Sequence, residues 1–113
     1  MRNITRRKER RLVKYAMSKN QVLVEFTGIS RVLTGKSEYI LSVADDSDVN
    51  EIIRMLGRKF PALVGEVIKA DGETLIPTNL FSVNGKQILN EGQQEYKPID
   101  GDRLILLSLL AGG

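Results

Sequence analysis

The chain contains no cysteine and no histidine among its 113 residues. Without cysteine there is no disulfide, no thiolate nucleophile and no iron–sulfur ligation, and without histidine the usual zinc sites and imidazole acid/base pairs are excluded. Carboxylate or lysine chemistry remains open, but no pair of acidic residues stands out as a catalytic pair. We therefore expect a carrier or substrate of an enzyme, not an enzyme, and no bound metal or cofactor.

Long hydrophobic runs are also absent. The longest unbroken apolar stretch covers residues 104–107, whereas a membrane-spanning helix needs about 20 such residues. The first residues lack the apolar core of a signal peptide. Hydrophobic residues make up 42% of the chain and charged residues 27%, which is typical of a soluble domain. We expect one small cytoplasmic domain with no membrane partner.

The charge is unevenly distributed along the chain. Residues 1–20 hold eight basic residues and one acidic residue, a net charge of +7, whereas residues 21–113 hold nine basic and thirteen acidic residues, a net charge of −4. We expect residues 1–20 to be a basic, partly disordered extension of a domain formed by residues 21–113. Such clusters attract phosphates without sequence preference, so contact with RNA or an acidic partner is an alternative to a solvated arm. The candidate contacts are Arg6, Arg7, Lys8, Arg10 and Arg11.

The first half of the domain predicts two strands and a helix. Apolar residues alternate over residues 21–26 and 39–43, which predicts an antiparallel hairpin joined by a loop at residues 27–36. Asp48 is a candidate N-cap with Glu51 three residues later, the spacing of a capping box. An apolar stripe with the 3.6-residue period follows, formed by Val49, Ile52, Ile53, Leu56 and Phe60.

The rest of the domain is predicted to be mostly strand. Pro61 ends the helix and is expected to begin a short second one. Asn84 and Gly85 separate two short strands and form the strongest two-residue hairpin signal. Residues 104–107 predict a last strand buried on both faces, and therefore a central one. The order strand, strand, helix and three strands predicts an α+β fold, with a mixed sheet of about five strands and one main helix across it.

The chain ends on a slim tail after the last strand. Gly112 and Gly113 carry no side chain that packs, and they cost entropy to order. Leu109, Leu110 and Ala111 lie beyond the strand, where they either extend it or fill apolar pockets on a partner. We expect the domain to be a scaffold for this tail.

Several segments together resemble the small β-grasp sulfur carriers, the MoaD-like and ThiS-like proteins, and the ubiquitin-like modifiers derived from them. The resemblance spans residues 21–113. Within the group, the chain is most similar to archaeal small modifier proteins and to the actinobacterial carrier for cysteine synthesis. The first loop of that carrier resembles the region around Arg31. The segments that carry it are residues 60–63, Asn79, residues 83–85, residues 100–102 and the closing residues 111–113.

The resemblance implies a ubiquitin-like β-grasp fold and a function for the tail. An E1-like adenylyltransferase (MoeB-like or ThiF-like), using ATP and magnesium, would adenylate the carboxylate of Gly113, and sulfur would convert it to a thiocarboxylate. A molybdopterin synthase large subunit is one possible sulfur acceptor, and Arg31 is a possible partner contact. Two alternatives stay open: a protein modifier joined to lysines through Gly113, and a β-grasp binding module whose basic arm holds nucleic acid.

Overall fold

The computed structural model describes residues 19–90 and 92–109. The basic arm up to residue 18 and the tail at residues 110–113 lie outside the described residues. In chain order the elements are β1 (Lys19–Phe26), α1 (Gly28–Thr34), β2 (Glu38–Ala44), α2 (Val49–Lys59), a 3₁₀ turn (Pro61–Leu63), β3 (Asn79–Val83), β4 (Gln87–Leu89) and β5 (Arg103–Ser108).

The strands form one mixed sheet of five strands in the order β2-β1-β5-β3-β4. β1 pairs antiparallel with β2 and parallel with β5, and β5 pairs antiparallel with β3. The last strand is therefore central, beside the first, as predicted. This arrangement confirms the predicted α+β fold with a mixed sheet of five strands.

One face of the sheet packs against α2. On this face Val22 and Val24 of β1, and Leu104 and Leu106 of β5, are at most 1% exposed. The apolar stripe of α2 meets them, and all of its members from Val49 to Leu56 are buried. Each fully buried aliphatic side chain contributes about 1.5–3 kcal/mol of transfer free energy, so this interface is the main source of stability.

The predicted cap of α2 is present. The Asp48 side chain accepts a hydrogen bond from the backbone N–H of Glu51 at 3.0 Å. Glu51 does not make the reciprocal hydrogen bond of a capping box. Its carboxylate instead accepts two hydrogen bonds from the Arg54 guanidinium, at 2.6 and 3.0 Å. α2 ends at Lys59 before Pro61, and the short second helix expected there is only the 3₁₀ turn.

The loop expected at residues 27–36 is wrong. The segment contains α1, which Thr27 and Ser30 begin with a reciprocal capping box and Gly35 ends in the left-handed conformation, at φ 69°. The two glycines that suggested a loop lie at the two ends of a short helix, where positive φ is useful. β1 and β2 are thus neighbours in an antiparallel pair, but the connection between them is helical.

The expected burial of β5 on both faces is also wrong. Leu104 and Leu106 face α2 and are buried, whereas Ile105 and Leu107 on the opposite face are only partly covered. Both helices that the structure describes pack on the first face of the sheet, so described residues cover the second face of β5 only in part. Its apolar side chains remain available for contact.

Candidate functional site at the end of the last strand

The tail leaves the sheet at the end of β5. The backbone N–H of Leu109 donates to the carbonyl of Thr78 at 2.6 Å, which fixes the first residue beyond the strand. The Leu109 side chain is 60% exposed. Leu110, Ala111, Gly112 and Gly113 lie outside the described residues, so their roles stay predictions.

A pocket of about 180 Å³ lies beside Leu109, between α2 and the β3 side of the sheet. Its apolar wall includes Val49 and Ile53 of α2 and Leu80 of β3, and its polar wall includes Asn90 and Gln93. Leu109 itself forms part of the lining. The root of the tail therefore lies next to a recess whose volume suits a single large side chain.

Helix α1 lies on the other side of the tail root. β1 and β5 are parallel, and Phe26 is the register partner of Leu106, so α1 begins where the tail leaves the sheet. The hydroxyl of Thr27 donates to the Leu106 carbonyl at 2.6 Å and ties the helix to the last strand. Arg31, the possible partner contact, is exposed on α1 and not in a loop.

A buried carboxylate fixes the opposite end of β5. Asp102 is 5% exposed. Its side chain accepts hydrogen bonds from the Asn84 amide at 2.9 Å, the backbone N–H of Ile99 at 2.9 Å and the Tyr96 hydroxyl at 3.3 Å. The side-chain amide oxygen of Asn84 (Oδ1) in turn accepts from the backbone N–H of Arg103 at 2.8 Å. This network joins the β3–β4 turn to the start of β5.

The sequence places Asn84 and Asp102 each beside a glycine, as in turns, and does not show that their side chains meet. Asn84 does adopt a positive φ of 55°, as its place before Gly85 predicts. Its second role depends on a partner 18 residues away in sequence. No local pattern encodes that contact, and the only available signal was a polar residue at the start of an otherwise apolar strand.

The network makes stability depend on pH through Tyr96. Burial, together with the neighbouring Asp102 carboxylate, raises the pKa of the Tyr96 hydroxyl above its usual value. Above about pH 10, the ordinary tyrosine pKa, the unfolded chain loses this proton more readily than the folded chain, so this contribution to stability declines as pH rises. Tyr96→Phe is expected to reduce the alkaline loss of stability, measured as urea midpoints between pH 8 and pH 11 by circular dichroism. An unchanged slope in the variant would contradict this assignment.

The sheet face away from α2 carries a second apolar surface. Leu23 of β1 lies directly opposite Ile40 of β2, and Ile105 and Leu107 of β5 lie on the same face. Ile40 is 61% exposed. We call these four residues the outer sheet surface. Two of these residues, Ile105 and Leu107, belong to the strand that leads to the tail.

The described residues hold no group of three or more acidic side chains arranged to bind a metal ion. No helix within residues 19–90 and 92–109 combines the length and hydrophobicity needed to cross a membrane. At this end of the sheet the described residues bring together the end of β5, helix α1 and the outer sheet surface.

No protein-family model matches the chain, and no curated protein matches it significantly. Solved structures do. The crystal structure of small archaeal modifier protein 1 (SAMP1) from Haloferax volcanii has a TM-score of 0.71 at 22% identity, covering 83% of this chain and 100% of that one. Urm1 from Trypanosoma brucei has a TM-score of 0.62 at 25% identity, covering 84% and 97%.

A third similar structure is a candidate molybdopterin converting factor, subunit 1, from Pyrococcus furiosus. Its TM-score is 0.59 at 18% identity, over 79% of this chain and 97% of that one. All three matches cover nearly the whole of the other protein, so the similarity concerns a complete domain. The resemblance drawn from the sequence is confirmed by these neighbours. The chain has the ubiquitin-like β-grasp fold, with SAMP1, Urm1 and a MoaD-like protein among its structural neighbours.

Proposed function

We propose that the chain is a sulfur carrier that works through the carboxylate of Gly113. The observation that carries the proposal is the central strand β5, which is anchored at both ends and continues into a tail that closes on two glycines. The neighbours named as modifiers and as a molybdopterin converting factor subunit support it. The chain itself would not be an enzyme, and it would act in the cytoplasm.

The chemistry follows from the poor reactivity of a carboxylate. A Gly113 oxygen would attack the α-phosphorus of ATP, releasing pyrophosphate and giving an acyl-adenylate. A hydrosulfide group would then displace AMP and leave a thiocarboxylate. An E1-like adenylyltransferase of the MoeB or ThiF type would hold the ATP and magnesium. A sulfur acceptor such as a molybdopterin synthase large subunit would then receive the sulfur.

The residues of the tail would have different roles in this reaction. Gly112 and Gly113 would pass through a narrow channel and leave the acyl carbon unhindered. Leu109 is exposed at the root of the tail, and with Leu110 and Ala111 it would dock on the partner. The outer sheet surface would provide a broader contact, since Ile40 is exposed and its other three side chains are partly exposed.

The direct test is reconstitution of the untagged protein with the host's E1-like adenylyltransferase, ATP, magnesium and sulfide. A thiocarboxylate on the peptide that ends in Gly113 is the expected product. Failure to form either the acyl-adenylate or the thiocarboxylate would refute the proposal.

A protein modifier is the second candidate, and the specific observation that favours it is the set of neighbours named as archaeal modifier proteins. Modification shares the adenylation step and then transfers Gly113 to a lysine amine of another protein. The two functions are separated by their products. A modifier leaves Gly-Gly remnants on lysines after proteolysis, whereas a carrier returns with a free terminus.

The third candidate is a binding module whose terminus is never activated and whose basic arm contacts RNA; RNA contact by the arm is also compatible with the first two functions. The arm carries a net charge of +7 over residues 1–20. Removing residues 1–18 is expected to abolish RNA binding and leave thiocarboxylate formation unchanged. Arg6, Arg7, Lys8, Arg10 and Arg11 would contribute most of the affinity.

Salt dependence tests the arm. Five phosphate contacts to a single strand predict that log Kobs falls with log salt at a slope of about −3.5. Filter binding with a single-stranded RNA at several salt concentrations measures this slope, with the chain lacking residues 1–18 as the control. No affinity at low salt, or equal affinity in the truncated chain, would remove RNA binding by the arm.

A further inference from the structure

Helix α1 exposes an apolar face that the fold does not use. Val32 is 76% exposed and Ile29 is 42% exposed. The two lie three residues apart on a helix, so they share one face. The opposite face is the packed one, because Ser30 is buried and Leu33 packs against the core.

The exposed face is held rigidly. Ser30 donates to the Thr27 carbonyl at 2.8 Å and accepts from the Thr27 backbone N–H at 3.2 Å. Thr34 donates its hydroxyl to the Ser30 carbonyl at 2.8 Å, and the Gly35 N–H bonds the Arg31 carbonyl at 2.9 Å. A surface already fixed in position loses little conformational entropy when a partner binds it.

The length of the tail places α1 within the footprint of any protein that acts on Gly113. Five residues follow Ser108, and fully extended they span about 17 Å. A standard protein interface covers about 800 Å² on each partner, and the radius of such a patch is close to the extended length of the tail. Since α1 begins beside the end of β5 and is bonded to it through Thr27, an enzyme that takes the tail must approach α1 closely.

The charge next to this face favours an acidic partner surface. Arg31 and Lys36 are both exposed on the connection from β1 to β2. Among the residues that the structure describes, none supplies a carboxylate within salt-bridge distance of either side chain. Both charges are therefore free to steer an acidic partner surface.

We propose that α1 is a docking helix for the enzyme that adenylates Gly113, with Ile29 and Val32 in an apolar recess and Arg31 against an acidic rim. This inference rests on the proposed function. It assigns α1 to the activating enzyme because activation precedes every later transfer, and both the carrier and the modifier require it. Specificity for one activating enzyme would then lie in α1 as well as in the tail.

The test compares Val32→Asp with Ile99→Asp in ATP-dependent activation by the host's E1-like adenylyltransferase. Ile99 is a matched control, since it is 67% exposed and lies before β5, at the end of the sheet opposite the tail. Val32→Asp is expected to raise the KM for the carrier about tenfold, the effect of losing one interface anchor, with kcat unchanged. Ile99→Asp is expected to leave both values unchanged.

Val32→Ser repeats the test without a new charge, because serine and valine have similar helix propensities. A KM that rises in both Val32 variants, with wild-type circular dichroism, supports the docking role. Equal KM values for activation of the wild type and the Val32 variants overturn it. This holds even if the Val32 variants impair the later transfer of sulfur to the acceptor. The proposed function would survive that result, whereas it fails, and this inference with it, if the wild-type chain is not activated at all.

Discussion

Deletion of Gly112 and Gly113 is expected to abolish thiocarboxylate formation while leaving the fold intact. The last strand of the described sheet ends at Ser108, four residues before Gly112. The deletion withdraws the terminal carboxylate by about 7 Å, and a misplacement of 1 Å at a reaction centre can cost about 100-fold in rate. We therefore expect a loss of at least about 1000-fold, measured as ATP–pyrophosphate exchange with the E1-like adenylyltransferase.

Two milder variants separate position from chemistry. Gly113→Ala keeps the length of the tail but adds a Cβ next to the acyl carbon, so activation should slow without stopping. One alanine added after Gly113 removes the carboxylate from that residue and should block activation of Gly113. Normal thiocarboxylate formation by the extended chain would contradict the account, and Ile99→Asp serves again as the unaffected control.

Loss of the Asp102 carboxylate is expected to have the largest effect on stability among the polar substitutions considered. Asp102→Ala removes the acceptor of three hydrogen bonds in a site that is 5% exposed. Each donor left unsatisfied in a buried site costs about 1–3 kcal/mol. Since Tyr96 is partly exposed and water can satisfy its hydroxyl, we expect a total loss of about 2–4 kcal/mol in the free energy of unfolding.

Asp100 in the same turn is the matched control. It is exposed, and its carboxylate accepts one hydrogen bond, from the Gln21 backbone N–H at 2.6 Å. Asp100→Ala should therefore cost about 1 kcal/mol or less. Urea unfolding followed by circular dichroism measures both variants. Equal losses in the two would show that the Asp102 network does not stabilise the start of β5.

The sequence was most informative where one local pattern decides the structure. The strand around Val22 and Val24 follows from the apolar residues at every second position from Val22 to Phe26, and α2 follows from its apolar stripe and the Asp48 cap. The central place of β5 followed from its unbroken run of aliphatics. In each case the burial that drives folding is encoded within a few neighbouring residues.

Prediction failed where local signals compete or where partners are distant. Gly28 and Gly35 suggested a loop. Thr27 and Ser30 have the three-residue spacing of a helix capping box, and this signal competes with the glycines. The bond from Thr27 to Leu106 joins residues 79 positions apart, and no local pattern shows it. The partial exposure of Ile105 depends on which face of the sheet the helices cover, which the residues of one strand do not specify.

The candidate site could likewise be predicted from the sequence only in part. The tail was identified from its terminal glycines and the strand before them. The surfaces that flank it, namely α1 and the pocket beside Leu109, come from elements that are separate in sequence and adjacent only in the sheet order.

Intact mass spectrometry of the untagged protein purified from its native host tests the central claim most directly. The account predicts a fraction of the protein that is heavier by one oxygen-to-sulfur exchange, localised to the peptide that ends in Gly113. Gly-Gly remnants of this tail on lysines of other proteins would show the same activation used for modification. A native terminus other than Gly113, or an unmodified Gly113 with no such remnants, would contradict the account.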